Sequence, residues 1–263
     1  SHAMSGSNAI CVTTVLLETG MLEMVEPITE VTLDTPAGLV KANAHCKNGK
    51  VTSVDLDFFA SFCDQLDVPV LVDGLGEVKV DTAFGGVYYI LVDVSQLNFR
   101  IEPANAQLLV KAGNQILRAA QQQLNVQHPV NKDFKQIEFC MFTDVENAAE
   151  HVYRNATIMP PGRLDRSPCG TGSAARLATM HARGEINIDE QVIMRSAIGS
   201  RFSTLIRNTT TVGDKAAVLP RITGRAWIYS IGQYGVDPDD PFPLGFTLSD
   251  TWGDGIDHEI PDL

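Results

Sequence analysis

The sequence predicts an α+β protein of two similar lobes. Three observations carry that expectation. Short apolar runs of strand length recur between Gly, Pro and Asn-Gly breaks. Two of the few helices open with the same small-residue pattern, at Ser5-Gly6-Ser7 and at Cys169-Gly170-Thr171. The composition, 44% hydrophobic and 20% charged over 263 residues, suits a chain that buries its own core.

Taken in order, residues 9–19 read as a helix capped by Ser7 or Asn8, with Ile10, Val15, Leu16 and Leu17 as its apolar content. Strand-like runs follow at Glu30–Thr35, Gly38–Ala42 and Val51–Leu56, and Asn48-Gly49 marks a tight hairpin turn between the last two. The pattern restarts near Pro69 with Val70–Val72, Gly76–Ala83 and Tyr88–Asp93. Leu108, Leu109, Ala112, Ile116, Leu117 and Ala120 give residues 103–123 a helical stripe. Gln136–Phe142 and Val152–Ile158 read as strands, and a helix should run from the Cys169 loop to about Arg183. Four more strands are expected at Gln191–Met194, Arg201–Ile206, Ala216–Ile222 and Arg225–Ile231. The expected division is 1–69 for the part of the first lobe that carries Ser5 and 70–234 for the second lobe with Cys169. Residues 235–263 form a C-terminal segment, with enough apolar side chains (Phe242, Leu244, Phe246, Trp252) to pack back on the first lobe.

Charge and motifs narrow the function. A net charge of −12 argues against a nucleic-acid surface, which needs clustered Lys and Arg. No apolar run reaches membrane-spanning length and no secretory signal pattern is seen, so no membrane partner is expected. Gly170-Thr171-Gly172 lacks both the P-loop lysine and the third dinucleotide-binding glycine. Asp250, Asp254, Asp257 and Glu259 lack calcium-loop spacing, and no metal site is expected. The five cysteines are odd in number and form no CxxC, so free thiols in a reducing cytoplasm are expected. Cys11 and Cys140 read as buried packing residues; only Cys169 lies where a glycine-rich loop turns into a helix.

That location has chemical content. Unpaired N–H groups and the positive end of the helix dipole lower a thiol's pKa and can hold an anion. Asp165-Arg166-Ser167-Pro168-Cys169-Gly170-Thr171-Gly172-Ser173-Ala174 therefore offers a thiolate base beside a carboxylate cradle. The echo at Met4-Ser5-Gly6-Ser7-Asn8 strengthens the reading, since Gly20 stands as far beyond Ser5 as Gly184 does beyond Cys169. Two such helix starts are expected to face one another across a cleft.

The run DRSPCGTGSAARLA resembles the second active-site motif of the proline racemase family, and MSGSN resembles its first, which usually reads Met-Cys-Gly-His. Asp81–Gly86, Ile198–Phe202 and Gly224–Trp227 are further family-like pieces. Ser5 stands in place of the first cysteine and Ser7 in place of the histidine. The resemblance implies a diaminopimelate epimerase-like fold, each lobe a mixed, barrel-like sheet around a central helix. It also implies that the first lobe is truncated at its N-terminus, the residues before Met4 reading as a tag scar.

The resemblance further implies cofactor-independent proton abstraction from the Cα of a small cyclic imino acid. Cys169 and Ser5 would be catalytic. Asp165 would meet the ring amine, and Gly6, Ser7, Asn8, Gly170 and Thr171 would bind the carboxylate. An alcohol is a far weaker acid than a thiol, so the Ser5/Cys169 pair favours a one-base dehydration of trans-3-hydroxy-L-proline to a pyrroline-2-carboxylate. The alternatives are a 4-hydroxyproline 2-epimerase or proline racemase, and a non-catalytic imino-acid-binding protein. A homodimer stays open as the assembly.

Overall fold

The protein is described from a computed structural model that covers residues 5–35 and 38–245. Its first part runs α1 (Gly6–Glu18), β1 (Ile28–Thr35), β2 (Gly38–Lys47) and β3 (Lys50–Asp57). Next come β4 (Phe62–Val72), β5 (Gly76–Phe84), β6 (Tyr88–Asp93) and α2 (Ala106–Gln123). The chain continues through β7 (Ile137–Asn147), β8 (Val152–Met159), β9 (Arg163–Leu164) and α3 (Gly170–Ala182). It then forms β10 (Val192–Arg195), β11 (Arg201–Val212) and β12 (Lys215–Gly224).

The strands form one sheet in the order β1-β2-β3-β12-β11-β10-β8-β7-β6-β5-β4, with β9 paired to β8. Among the described strands, β6/β7 and β8/β10 pair in parallel and the other neighbours antiparallel. The sheet closes on itself. Just ahead of β4, Ser61 pairs with Val218 of β12 through two backbone bonds of 2.9 and 2.8 Å. β4, β5, β6, β7, β8, β10, β11 and β12 thus make a ring. Inside it runs α3, whose residues Gly170 to Met180 are all buried. A helix buried on every side carries no amphipathic stripe; its small residues instead let the sheet approach closely. The mixed, barrel-like sheet around a central helix is therefore present.

α1 is different. Gly6, Ala9, Ile10, Thr13, Thr14 and Leu17 are buried, one helical face laid on β2, β3 and β12. Cys11, Val12 and Val15 lie on the other face and are exposed. The expectation that Cys11 is a packing residue is corrected here: one step from Ile10 turns a side chain by about 100°, off the packed stripe. Cys140, on β7, is fully buried as expected.

Asn48 and Gly49 make the hairpin between β2 and β3, with φ of 54° and 70°. β4 begins at Phe62, well before the Val70 expected from the apolar run. Its first half mixes the buried Phe62 with Asp64, Gln65 and Asp67, and its register slips around Gln65, so no clean alternation marks it. Pro69 lies within this strand, opposite Lys79.

Arg225–Ile231 forms no strand. The alternation is there, but Trp227, Tyr229 and Ile231 are 68, 97 and 85% exposed, so no sheet face buries them, and burial is what makes a period of two into a strand. Residues 228–245 belong to a separate unit, which in its described part has turns closed by Asp240 N–H to Asp237 O and Gly245 N–H to Phe242 O. The expected packing of Phe246 and Trp252, and the acidic residues from Asp250 onward, lie outside the described residues.

Candidate active site

The first turns of α1 and α3 touch. A Cβ placed on Gly6 would lie 3.2 Å from Gly170 Cα, and one on Gly170 would lie 3.0 Å from Gly6 Cα. The Phe58 ring fills the same crevice, 2.6 Å from the first of those positions. Two glycines are what allow the helix starts to meet backbone to backbone. Ser5 is the N-cap residue of α1 and Cys169 that of α3, so the geometry brings together the two residues singled out from sequence. Ser5 is exposed, makes no capping bond, and has its Oγ 3.4 Å from Ser7 Oγ. Ser7 is half-buried and Asn8 exposed, both in the first turn of α1.

Cys169 has φ 65° and ψ 117°, a left-handed conformation that costs a non-glycine residue energy and is kept only where its surroundings impose it. Cys169 is buried in a cluster with Val87, Tyr89, Leu91, Phe139, Met141 and Ala175. Tyr89 Oη lies 3.4 Å from Sγ and 2.7 Å from Thr171 Oγ1; Thr171 Oγ1 lies 3.9 Å from Sγ. A Cβ on Gly172 would sit 3.1 Å from the sulfur and 2.1 Å from Met141 Cε, so any larger residue there would push the methionine end aside and crowd the thiol.

Burial pushes the Cys169 thiol pKa up, and the nearby Asp165 charge pushes it the same way. The Tyr89 hydroxyl, the Gly172 N–H and the Thr157 hydroxyl oppose this by favouring the thiolate, but do not cancel it. The expected lowering of the thiol pKa by the helix start is thus corrected: low-dielectric surroundings outweigh the amides. Asp165 is itself raised by burial, against hydrogen bonds from Ser167 and Cys169. Its Oδ1 accepts the Ser167 N–H at 2.8 Å, so it shapes its own turn as well as facing the thiol.

A buried network that the sequence did not reveal fixes the Cys169 loop. Asn155 Nδ2 donates to Pro168 O and Ser173 Oγ, both at 3.1 Å, and Ser173 Oγ donates to Pro168 O at 3.1 Å. Arg176 in turn donates to Asn155 Oδ1 and Arg154 O at 2.6 Å and to Asp144 O at 3.0 Å, and lies over the Tyr153 ring. Among the described residues no carboxylate pairs with it, and burial lowers its pKa to about 10. The signals in the sequence are an asparagine, Asn155, between apolar residues of a strand and an arginine inside a helix of small residues. Phe84 and Phe202 are core residues: Phe84 stacks with Phe62, and Phe202 packs in the core beneath α1. A groove of about 560 Å³, with Asp67, Asp81, Arg176 and Arg183 in its lining, does not include Cys169. Its Arg183 is held by Asp67 and Asp81, and its Arg176 by carbonyls, which leaves neither guanidinium to grip a carboxylate there.

No described helix is long and apolar enough to cross a membrane. Known proteins match along almost the entire chain. Residues 1–247 fit the family model for proline racemase. The 4-hydroxyproline 2-epimerase of Allorhizobium ampelinum is 47% identical over 253 residues, covering 96% of this chain and 72% of that protein. The enzyme of the same name from Rhizobium etli is 46% identical, covering 96% and 73%. A crystal structure of a hydroxyproline epimerase from Agrobacterium vitis with bound trans-4-hydroxy-L-proline superposes with a TM-score of 0.84 at 47% identity, over 96% of this chain and 72% of that one. A probable proline racemase from Agrobacterium radiobacter, crystallised with carbonate, gives 0.84 at 45% identity, over 96% and 74%. A PhzF-family protein from Bacillus anthracis shares only the fold, with a TM-score of 0.53 at 12% identity over 85% of this chain and 73% of that one. With paired helix starts at the heart of the fold, and a family match that runs through both of them, the chain belongs to the proline racemase family.

Proposed function

We propose that the protein is a 4-hydroxyproline 2-epimerase, inverting Cα of trans-4-hydroxy-L-proline. The observation that carries this reading is the backbone contact between Gly6 and Gly170, which sets Ser5 and Cys169 at two abutting helix starts. Relatives near half identity that bear the epimerase name support the substrate. They favour epimerisation over the dehydration expected from the Ser5/Cys169 pair.

The chemistry follows from the residues. The N–H groups of Gly6, Ser7, Gly170 and Thr171, with Asn8 beside them, receive the substrate carboxylate and stabilise the enolate-like transition state. Cys169 works on one face of Cα and Ser5 on the other. In the free protein the Asp165 charge opposes ionisation of the thiol. A bound ring ammonium pairs with Asp165 and cancels that opposition, so the substrate itself promotes the thiolate. Ser5 exchanges its proton with Ser7 or water, the weak link in an even-handed cycle.

A second reading is favoured by that same alcohol: dehydration of trans-3-hydroxy-L-proline needs one base, Cys169, with Ser5 hydrogen-bonded to the departing hydroxyl. Proton NMR in deuterated water separates the two. Epimerisation gives Cα exchange and cis-4-hydroxy-D-proline from the 4-hydroxy substrate. A protein that ignores it and consumes the 3-hydroxy isomer would transfer the assignment to the dehydratase. Cys169→Ser should abolish either activity; full activity in that variant would refute both.

A further inference from the structure

With its sulfur shut away from bulk water, Cys169 depends on protein groups for whatever stabilises its ionised form. We infer that Tyr89 is a catalytic hydrogen-bond donor to Cys169, backed by Thr171, in a three-group chain that reverses direction as the sulfur gains and loses the substrate proton. This rests on the proposed role of Cys169.

The geometry is fixed by the sheet. Tyr89 lies on β6, paired to Ala83 on one side and Phe139 on the other, and its ring centroid is 5.5 Å from that of Phe139. Its side chain has no solvent exposure, and its hydroxyl lies between Sγ at 3.4 Å and Thr171 Oγ1 at 2.7 Å. With the thiolate present, Thr171 O–H donates to Tyr89 and Tyr89 O–H donates to sulfur. When sulfur takes the Cα proton, the new S–H donates to Tyr89 O, and Tyr89 O–H turns to Thr171. The proton gained by sulfur is the one lost by carbon; within the chain only O–H bonds rotate, so nothing need enter from solvent. Gly172 keeps this corner open, since a Cβ there would lie 3.2 Å from Tyr89 Cε1.

The competing role is structural: a buried tyrosine needs a partner, and Thr171 alone would satisfy it. Alkylation separates the two. Iodoacetamide labelling of Cys169 is followed across pH by peptide mass spectrometry, which resolves it from exposed Cys11. Tyr89→Phe keeps the ring. Its labelling midpoint should rise by about one pH unit, cutting the rate near neutral pH about tenfold. Thr171→Val, which keeps shape and backbone N–H, should move it the same way by less, and Thr171→Ser should hold the original midpoint. An unchanged midpoint in Tyr89→Phe overturns the inference; should that variant not fold, an unchanged midpoint in Thr171→Val does so. No substrate is involved, so a failure here leaves the epimerase reading standing, and absent hydroxyproline turnover leaves the hydrogen-bond chain standing.

Discussion

Asp165 and Tyr89 act on the same sulfur with opposite sign. The carboxylate raises the thiol pKa and the phenol lowers it. Asp165→Asn keeps the acceptor for the Ser167 N–H but removes the charge. Its Cys169 labelling midpoint should move down in pH, opposite to Tyr89→Phe, while KM for hydroxyproline rises; a midpoint that stays or climbs would contradict the electrostatics. Because the thiolate is the reactive form and its pKa is raised in the free protein, kcat/KM should climb with pH towards and beyond the ordinary thiol value of 9.0. At this scale the sequence revealed the residue types but not their balance. The helix start at Cys169 is legible as a favourable field, whereas the burial that overrides it comes from Tyr89, Phe139 and Met141, which are distant in the chain. Tyr89 itself was hidden because β6 is buried on both faces and reads as a uniform apolar run.

Among the elements, α3 depends on the strands around it for the shape of its first turn. Asn155 on β8 anchors Pro168 and Ser173, and Arg176 anchors Asn155. Asn155→Ala would leave the buried guanidinium and the Pro168 carbonyl each short of a partner. A loss of about 1–3 kcal/mol is expected in a urea titration, together with slower Cys169 labelling as the left-handed turn relaxes. The β5–β6 connection is as tight. A Cβ on Gly85 would lie 2.1 Å from Thr171 O and 2.6 Å from Ala175 N, both backbone atoms that cannot swing aside. Gly85→Ala should therefore cost at least about 1–3 kcal/mol by the same titration; a variant as stable as the parent would mean that α3 is not clasped by that turn. Element positions were largely readable where alternation and turn residues agreed, as at β6 and at the Asn48-Gly49 hairpin. They failed where a bulge broke the period, in β4, and where alternation met no sheet to bury it, after Gly224.

Across the molecule, β12 has two allegiances. It closes the ring around α3 through Val218 and Ser61, and through Arg221–Gly224 it pairs with β3, which carries β2, β1 and α1. Arg221 reinforces that seam, with Nε 2.6 Å from Asp57 Oδ1. Ring closure was not legible in the sequence, since Ser61 and Val218 are far apart and neither belongs to a distinctive pattern. One unbroken strand thus does the work that a flexible linker does in jaw-like proteins. On the proposed function, admitting a ligand between the two helix starts calls for twisting a shared girder, not swinging a door, so any breathing of the halves should be small in amplitude and stiff.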